Sequence, residues 1–294
     1  MLVPREGKAM ATDRPGPALV TGANSGIGLA TALRLAERGW TVYGTVRSEA
    51  KAEALRAAAR ARKLGRRVHA LVLDVSDHAA VVRAWKDLPD FHAVVNNAGY
   101  SETGAIEEVS AAQAKAQLDV NLVAPAIVSA CALPGMRRRG DGRIVMVSSV
   151  AGRASVLPLN GWYHASKFGL EALSDVLRVE VSGFGVRVVI VEPGFFRTAI
   201  GDKSRARSEE LGERRSSPYA AAYQRMGRML DLVERFAPSA EIVARTIVSA
   251  IESRRPRQRY VVGLDALATI AAQPFIPREL TDLAMRLVAG LPRR

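Results

Sequence analysis

Short apolar runs alternate with longer stretches of helical periodicity along most of the 294 residues, and this alternation limits the fold more than any other feature. The short runs have the length of buried strands, and apolar residues recur at helical spacing between them. We predict strands at 18–20, 41–46, 68–73, 93–95, 143–147, 186–191 and 259–262. We predict helices at 28–38, 49–63, 77–86, 111–136, 162–181, 219–236, 241–251 and 266–291. Repeated strand–helix units predict an α/β fold of Rossmann type, with a doubly wound, mostly parallel, seven-stranded sheet and helices on both faces.

The pattern also predicts one large domain with a segment at each end. Residues 1–16 lack the apolar stretch of a signal peptide, and we expect a loose tail. Within the domain at 17–265, residues 199–236 are polar and basic at first and then helical, which is typical of a lid over a substrate site. Because Lys203–Ser217 offers little to bury, we expect this lid to be mobile without ligand. Residues 266–294 form a helical C-terminal tail, and no apolar run approaches the length of a membrane span.

Charge and cysteine content argue against several classes of protein. The net charge is +13, but the basic residues are dispersed and lack interleaved aromatics, so we expect no nucleic-acid partner. A positive field would still attract a multiply phosphorylated cofactor. The single cysteine, Cys131, excludes an internal disulfide and fits a reducing compartment, so we expect a cytoplasmic location. The four histidines share no ligand-like spacing with one another or with Cys131, so we expect no metal site.

A glycine-rich segment, Thr21–Gly28, directly follows the first predicted strand and opens the first predicted helix. Glycines allow a tight turn and the close approach of a pyrophosphate to a helix N-terminus, where free N–H groups favour anions. The spacing G-x-x-x-G-x-G differs from the G-x-G-x-x-G fingerprint, but the strand–turn–helix context is the same. The segment predicts a dinucleotide site, with a purely structural turn as the alternative.

The end of the second predicted strand bears on the choice of cofactor. NAD-binding proteins commonly place a carboxylate there for the ribose 2′-hydroxyl, whereas an arginine accommodates a 2′-phosphate. This chain has Arg47 at that point and no carboxylate before Glu49. We therefore expect Arg47 to contact a 2′-phosphate and the protein to favour NADP(H) over NAD(H). The alternative is a surface arginine.

A tyrosine and a lysine, Tyr163 and Lys167, lie four residues apart and so project from one face of a predicted helix. A free tyrosine titrates near pH ~10, and a nearby ammonium favours the phenolate and lowers that pKa. The Ser149 hydroxyl, on a neighbouring loop, could hydrogen-bond the same reacting oxygen. The pattern indicates a proton-transfer site, although on its own it also fits a solvated pair.

Together these segments resemble the short-chain dehydrogenase/reductase family over roughly residues 16–265. The matching segments are the cofactor loop Thr21–Gly28, the sheet-stabilising Asn96–Gly99, the tetrad Asn121, Ser149, Tyr163 and Lys167, the adenine contact Asp74-Val75, and Pro193-Gly194 with Thr198 on the nicotinamide side. Val191–Thr198 and Arg259–Gly263 look most like the steroid- and retinoid-dehydrogenase branch. With Arg47 added from the strand-end argument, the cofactor contacts that the resemblance implies are Thr21, Gly22, Asn24, Ser25, Gly26, Ile27, Gly28, Arg47, Asp74, Val75, Asn97, Ala98, Gly99, Tyr163, Lys167, Pro193, Gly194, Phe196 and Thr198.

The resemblance also implies roles. Tyr163 would exchange a proton with the substrate oxygen, and Lys167 would lower the tyrosine pKa and hydrogen-bond the nicotinamide ribose. Ser149 would orient the substrate oxygen, with Ser148 as a rival, and Asn121 would hold a water in a proton relay. Hydride transfer itself would belong to the cofactor.

We therefore expect an NADP(H)-dependent oxidoreductase that interconverts a ketone or aldehyde with an alcohol on a medium-to-large apolar substrate. Tyr219, Tyr223, Met226, Met229 and Leu230 recur at helical spacing and form either an apolar wall of the substrate site or ordinary core. One alternative is a reductase of acyl-thioester carbonyls, which basic residues near the lid leave open. The other is a catalytically silent NADP(H)-binding sensor.

Further expectations concern the long helices and the membrane. Apolar positions wrap most of the helix at 162–181, so a partner subunit, paired as in the family with the helix at 111–136, would cover its outer side in a homodimer or homotetramer. We expect no stable membrane insertion. Pro125 removes the N–H that the Asn121 carbonyl would accept, which predicts a kink there and a water on that carbonyl. We expect His164 to lie near the site or on the surface.

Overall fold

A seven-stranded sheet forms the centre of the molecule. The computed structural model describes residues 15–155, 157–197, 199–214 and 216–291. The strands are β1 (Pro17–Val20), β2 (Thr41–Val46), β3 (Val68–Val72), β4 (Ala93–Asn96), β5 (Gly142–Val147), β6 (Val186–Pro193) and β7 (Arg259–Val262). They pair in the order β3-β2-β1-β4-β5-β6-β7, and every pair is parallel. The predicted Rossmann-type sheet is therefore confirmed.

Eleven α-helices connect and cover the strands within the described part of the chain. They are α1 (Gly26–Glu37), α2 (Glu49–Ala61), α3 (His78–Ala84), α4 (Ala111–Leu118), α5 (Ala124–Arg139), α6 (Gly161–Val181), α7 (Ala199–Gly212), α8 (Ala220–Phe236), α9 (Glu241–Glu252), α10 (Leu264–Ala272) and α11 (Arg278–Ala289). The N-terminal tail that the sequence predicts lies almost wholly outside the described residues, which begin at 15.

The strands bury both faces, because successive side chains point to opposite sides of a sheet. Val95 and Val145 belong to a core that α1, α2 and α9 cover. Their neighbours Val94 and Ile144 belong to a second core that α3, α5 and α6 cover. Because all strands are parallel, their carboxyl ends share one edge, and ligands of such sheets bind there.

The predicted long helix at 111–136 is interrupted in its middle. A π-helical turn, Asp119–Val123, separates α4 from α5, and the Ala124 N–H donates to the Asp119 carbonyl five residues back. Pro125 lies one residue beyond, and it has no N–H to offer the Asn121 carbonyl. The irregularity expected at Pro125 is thus a wider helical turn, a form found often at functional sites.

By length and composition, the segment Ala111–Arg139 could cross a membrane, contrary to the expectation from sequence. In the structure it packs against α3, α6, β4 and β5. Asn121, in its middle, is buried and hydrogen-bonded within the protein. We therefore interpret this segment as a core helix.

The segment after β6 forms two helices, although the sequence predicts only the second. In α7, Ser204, Ser208 and Leu211 are buried, because α7 packs along α8. The expectation that Lys203–Ser217 buries almost nothing is therefore wrong for these residues and for Gly212. The buried face of α7 is not evident from the sequence, because serines form part of it. The predicted helical tail is present as α10 and α11.

Candidate active site

The glycine-rich segment forms a tight loop between β1 and α1 at the carboxyl edge of the sheet. Gly22 and Gly26 have φ angles of +66° and +52°, which side chains disfavour. A Cβ on Gly28 would lie 2.3 Å from the Gly22 carbonyl oxygen, so α1 approaches the loop too closely for a side chain. Asn97 fixes the loop from the end of β4, because its Nδ2 donates to the Thr21 carbonyl at 2.9 Å. The sequence thus builds a backbone cradle at the N-terminus of α1.

A cavity of about 320 Å³ lies against this cradle. Eleven of the predicted cofactor contacts line it: Gly22, Asn24, Ser25, Gly26, Ile27, Arg47, Asp74, Val75, Asn97, Ala98 and Gly99. The first N–H groups of α1 have no acceptor within the helix and face anions favourably. The first turn of α1, described in full, contains no acidic residue. These features fit the pyrophosphate of a dinucleotide.

One other predicted contact near the cradle, Thr21, takes a different position. Thr21 is buried beneath the loop, where its Oγ1 accepts from the backbone N–H groups of Asn97 and Ala98, both at 2.9 Å. It supports the cradle and does not line the cavity. Thr198 lies outside the described residues.

The basic side of the cavity contains one residue that the sequence analysis missed. Arg47 is exposed at the end of β2, and Lys51, in the first turn of α2, lines the same cavity. Asp74 faces them from the end of β3, with its Oδ1 accepting from the Ser76 N–H at 2.9 Å and Ser76 Oγ at 2.7 Å. The available signal for Lys51 was a second basic residue shortly after Arg47, in the first turn of the helix that follows β2.

A second cavity, of about 160 Å³, adjoins the first and contains the proton-transfer residues. Ser149, Tyr163 and Lys167 line it, together with Pro193, Gly194 and Phe196. Ile27, Asn97, Gly99 and Tyr100 line both cavities, so the two form one continuous site along the sheet edge.

Tyr163 and Lys167 lie on the first turns of α6, one turn apart. The Lys167 Nζ is 5.9 Å from the centroid of the Tyr163 ring and donates to the Val147 carbonyl at 2.9 Å. Ser149 follows β5, and its Oγ accepts from the Ala151 N–H at 3.1 Å. The ends of two elements thereby bring the hydroxyl, phenol and ammonium to one point.

Asn121 is the fourth predicted catalytic residue, and it is buried behind this cavity. Its Nδ2 donates to the Tyr100 carbonyl at 2.9 Å and to Ser166 Oγ at 3.0 Å, and its Oδ1 accepts from the Tyr100 N–H at 3.1 Å. The side chain therefore ties the π turn to α6 and to the loop after β4.

Burial shifts the pKa values of Tyr163 and Lys167 in opposite directions. Burial raises the pKa of the Tyr163 phenol, and its hydrogen bond with Ser149 opposes this only in part. Burial lowers the pKa of Lys167 to about 8, while the charge of Glu171 opposes this. From the sequence, Lys167 is expected to lower the pKa of Tyr163. In the protein alone desolvation outweighs that effect, because the ammonium is turned to the Val147 carbonyl.

His164 is buried, which corrects the surface part of its sequence assignment. Its Nδ1 lies 2.8 Å from the Ala151 carbonyl oxygen, and its Nε2 accepts from the Leu157 N–H at 3.3 Å. It therefore holds the loop after Ser149 against α6. Burial lowers the pKa of His164, consistent with a neutral ring.

A buried ionic cluster behind Lys167 was not found from the sequence. Glu192 on β6 is fully buried, and its Oε1 lies 3.1 Å from Arg153 Nη1 and 3.0 Å from Arg259 Nε. Arg259, on β7, also contacts Glu171 and Asp175 on α6 at 3.3 and 2.6 Å. Burial raises the pKa of Glu171 to about 7, and the Glu192 carboxylate adds to this. The available signal was a carboxylate at Glu192 directly after the apolar run Val188–Val191 of β6.

The outer wall of the second cavity comes from the segment after β6. Met226, Leu230 and Val233 of α8 line it, so part of the predicted Met and aromatic stripe faces the cavity. Tyr223 instead packs in a small core with Ala105 and Leu159. The stripe therefore serves partly as a wall of the second cavity and partly as ordinary core, the two alternatives that the sequence left open.

Asp265, at the start of α10, contacts the backbone beside the second cavity. Its Oδ2 accepts from the Phe195 N–H at 2.7 Å. The same oxygen would lie 2.1 Å from a Cβ on Gly194, so this glycine allows the carboxylate to approach the backbone. Asp265 was not identified from the sequence.

Comparisons with known proteins agree with this site. The short chain dehydrogenase family matches residues 17–209. Human retinol dehydrogenase 16 is 32% identical over 99% of this chain and 94% of its own length. The NADPH-dependent 3-dehydrocapnine reductase of Ornithobacterium rhinotracheale is 30% identical over 90% of this chain and 94% of its own. A short-chain dehydrogenase/reductase from Burkholderia phymatum in complex with NAD superimposes with a TM-score of 0.74 at 27% identity, covering 92% of this chain and 95% of that one. This chain therefore belongs to the short-chain dehydrogenase/reductase family, similar to its retinoid-dehydrogenase branch, and is an oxidoreductase that acts on CH–OH or C=O groups with NAD(H) or NADP(H).

Proposed function

We propose that this protein interconverts a ketone or aldehyde with an alcohol on a medium-to-large apolar substrate, using NADP(H), with Tyr163 as the proton donor and acceptor. The observation that carries the proposal is the continuous site at the sheet edge. One end is a backbone cradle with basic side chains, and the other is an apolar cavity in which Ser149, Tyr163 and Lys167 meet.

The proposed chemistry divides the work between cofactor and protein. A bound nicotinamide cofactor supplies or accepts the hydride at the substrate carbon. At neutral pH the Tyr163 phenol is protonated, so in the reducing direction it donates its proton to the carbonyl oxygen. The Ser149 hydroxyl donates to the same oxygen and orients it. The Lys167 ammonium would stabilise the tyrosine after proton loss and would hydrogen-bond the nicotinamide ribose when the cofactor is bound. The backbone carbonyl of Asn121 would hold a water of the relay.

Support for NADP(H) comes from the basic side of the first cavity. Arg47 and Lys51 both line it, and β2 is followed by no carboxylate until Glu49. Charge-assisted bonds from such residues favour a 2′-phosphate. The named NADPH dependence of the Ornithobacterium relative is in line with this choice. The direct test is kcat/KM for the wild-type protein with each cofactor, and a preference for NADH would contradict the proposal.

Support for an apolar substrate comes from the wall that α8 gives the second cavity. Met226, Leu230 and Val233 supply an adaptable apolar surface opposite the polar reacting end. Each additional buried CH₂ of a substrate stabilises binding by about 0.8 kcal/mol. The acyl-thioester alternative receives less support, because Arg205 of α7 already contacts Glu209 and Asp231. A screen in which small or carboxylate substrates turn over best would contradict the apolar assignment.

The experiment that tests the reaction is Tyr163→Phe, assayed against a panel of apolar ketones and aldehydes. Turnover should fall by about 10²–10⁴-fold, because only the transferable proton is removed. Dinucleotide binding, followed by cofactor fluorescence, should persist. Tyr43→Phe is the matched control, since Tyr43 stacks on His69 away from both cavities. If the wild type turns over no carbonyl but still binds NADPH, the silent-sensor alternative is correct.

We also propose a cytoplasmic homodimer or homotetramer. The outer face of α6 carries Phe168, Val176 and Val179, which are exposed by 41%, 59% and 65% in the single chain. An apolar helix face of this kind is typical of a subunit interface. Light scattering gives the mass in solution, and a monomer at micromolar concentration would contradict the proposal.

A further inference from the structure

The C-terminal helices expose more large apolar side chains than a monomeric surface usually does. Leu264 and Phe275 are each 85% exposed, and Leu280, Leu287 and Val288 are each more than half exposed. In α11, only Ala289 is buried among residues that the structure describes in full. These helices are ordered parts of the fold, yet they contribute little to its core.

The exposed apolar residues of α11 form one stripe. Ile276, Leu280, Leu283 and Leu287 follow the spacing i, i+4, i+7, i+11, which places them on one side of a helix and its first turn. Charged residues lie on the other side, where Arg278, Asp282 and Arg286 line a cavity between α11, α6 and the loop before α6. The least exposed residues of α11 are Thr281, Met285 and Ala289, so the helix rests on the protein along a narrow strip and turns its apolar stripe outward.

Basic residues border this apolar surface. α8 packs against α11, and Arg225 Nη1 donates to the Leu287 carbonyl at 3.3 Å. The outer face of α8 continues with Arg228, Leu232, Arg235 and Phe236, all exposed, the phenylalanine by 81%. Apolar side chains mixed with arginines are typical of surfaces that lie in the headgroup region of anionic membranes.

We propose that α10, α11 and the outer end of α8 form a docking surface for an anionic lipid membrane, with the apolar stripe in the interface and the arginines on lipid headgroups. The docking is peripheral and crosses no membrane. A second copy of the chain is the other possible occupant, but a two-fold contact would place this patch against itself and bring arginines together. Anionic lipid complements the same charges. The proposal does not depend on the reaction proposed above.

The position of this surface has a consequence for the substrate, which does rest on the proposed function. Leu157 lines both the cavity beneath α11 and the cavity that contains Tyr163. Asp265, in the first turn of α10, accepts from the Phe195 backbone beside that cavity. A membrane on the docking surface would therefore be separated from the cavity that Leu157 lines by about the thickness of one helix, α11, so the route of an apolar substrate from the bilayer to Tyr163 would be short.

The test is flotation of the full chain with vesicles of phosphatidylcholine containing phosphatidylserine, compared with phosphatidylcholine alone. We expect binding to the anionic vesicles and weaker binding at high salt, because salt screens the arginines. The triple variant Phe275→Ser, Leu280→Ser, Leu283→Ser should weaken binding at least about tenfold, since it removes apolar area from the interface. Val82→Ser is the matched control, because Val82 is half-exposed on the distant helix α3. The double variant Arg228→Glu, Arg235→Glu should weaken binding to anionic vesicles only.

Three results would overturn the proposal. The wild type could fail to float, or it could bind neutral and anionic vesicles equally. The triple variant could also change the mass measured by light scattering while vesicle binding stays at the wild-type level, which would assign the patch to a second copy. Only variants whose melting temperature and dinucleotide affinity match the wild type are compared, so that misfolding is not mistaken for lost docking. Loss of turnover with intact vesicle binding would count against the proposed reaction and not against docking.

Discussion

The two cavities lie on the same edge of the same sheet but are held by different kinds of interaction. Around the cofactor cavity, backbone groups and a side-chain amide fix the loop. Gly22 and Gly28 lie within van der Waals distance, and the Asn97 amide donates to the loop carbonyls. Around the substrate cavity, ion pairs between side chains hold the elements together. Arg259 joins α6 and β6 to β7 through Glu171 and Glu192.

This difference has a physical consequence. Backbone hydrogen bonds and glycine contacts do not titrate, so the cofactor cradle should respond to changes in volume and hardly at all to pH. Buried ion pairs depend on the ionisation of every member, and losing one partner leaves an uncompensated charge. The substrate side should therefore respond strongly to charge changes. The predictions below test this division, from the largest effect to the smallest.

The largest effect is expected for Arg259→Met. The change leaves the buried carboxylates of Glu171 and Glu192 without their shared cation, so the free energy of unfolding at neutral pH should fall by about 3–5 kcal/mol. The loss should shrink on acidification, because protonated carboxyls no longer need the arginine. Chemical denaturation at several pH values measures both effects. Arg257→Met, at an exposed position two residues earlier, is the control.

Dinucleotide affinity provides the comparison for this variant. Arg259 contacts Glu171, Asp175 and Glu192, none of which lines the cofactor cavity, so NADPH affinity of the folded variant should stay within about twofold of wild type. A parallel loss of NADPH affinity and of stability would show that the cofactor cavity and the substrate cavity are coupled.

The second prediction concerns Arg47, the exposed side chain on the cofactor side. Arg47→Asp should repel a 2′-phosphate and accept from a ribose hydroxyl instead, shifting kcat/KM from NADPH toward NADH by roughly 100-fold, or ~2.7 kcal/mol. Melting temperature should not change, since Arg47 is exposed. Steady-state kinetics with both cofactors measure the shift. A variant with unchanged cofactor preference would reduce Arg47 to a surface residue.

The third prediction is a pH dependence that resides in the ionic cluster. The folded-state pKa of Glu171 is raised to about 7 by burial, with Glu192 adding to the shift and Arg259 opposing it. A raised carboxyl pKa means that the folded state holds its proton more tightly, so stability is greatest below the unfolded value near ~4.5 and is lost as pH rises through about 7.

Glu171→Gln removes that titration. Between pH ~5 and ~7.5 the wild type should lose on the order of 1–3 kcal/mol relative to the variant, measured by denaturation at each pH. Ser174→Ala, one turn further along α6, alters a buried hydrogen bond without a titrating group and serves as the control. Parallel pH profiles for wild type and Glu171→Gln would contradict the assignment.

The same difference explains what the sequence could predict. The glycine loop, the strand that precedes it and the Tyr163–Lys167 spacing are local patterns, so both their presence and their meeting at one edge followed from the strand–helix alternation. The cluster of Glu171, Glu192 and Arg259 joins residues far apart in sequence. A carboxylate in strand β6 indicates a buried charge, but no local pattern predicts its partners. Helix α7 was missed for a related reason, since its buried face includes serines.

The smallest effect is expected for Tyr223→Phe, which tests the side-chain contacts of the lid. The Tyr223 hydroxyl donates to Glu108 Oε2 at 2.6 Å and accepts from the Ala105 N–H at 2.7 Å, which joins α8 to the loop before α4. Its removal leaves a buried N–H without an acceptor, a loss of about 1–2 kcal/mol. Ser217 still donates to Glu108, so the lid should loosen without detaching.

Because Met226 and Leu230 are carried by the same helix, KM for bulky apolar substrates should rise roughly five- to tenfold, while NADPH affinity and kcat with small carbonyls should stay unchanged. Tyr219→Phe is the control, since its hydroxyl bonds Glu107 at an exposed position and its loss should matter less. Equal effects on both substrate and cofactor binding would show that the lid contacts support the whole edge. An effect on the bulky substrates alone places these contacts, like the ionic cluster, with the substrate cavity.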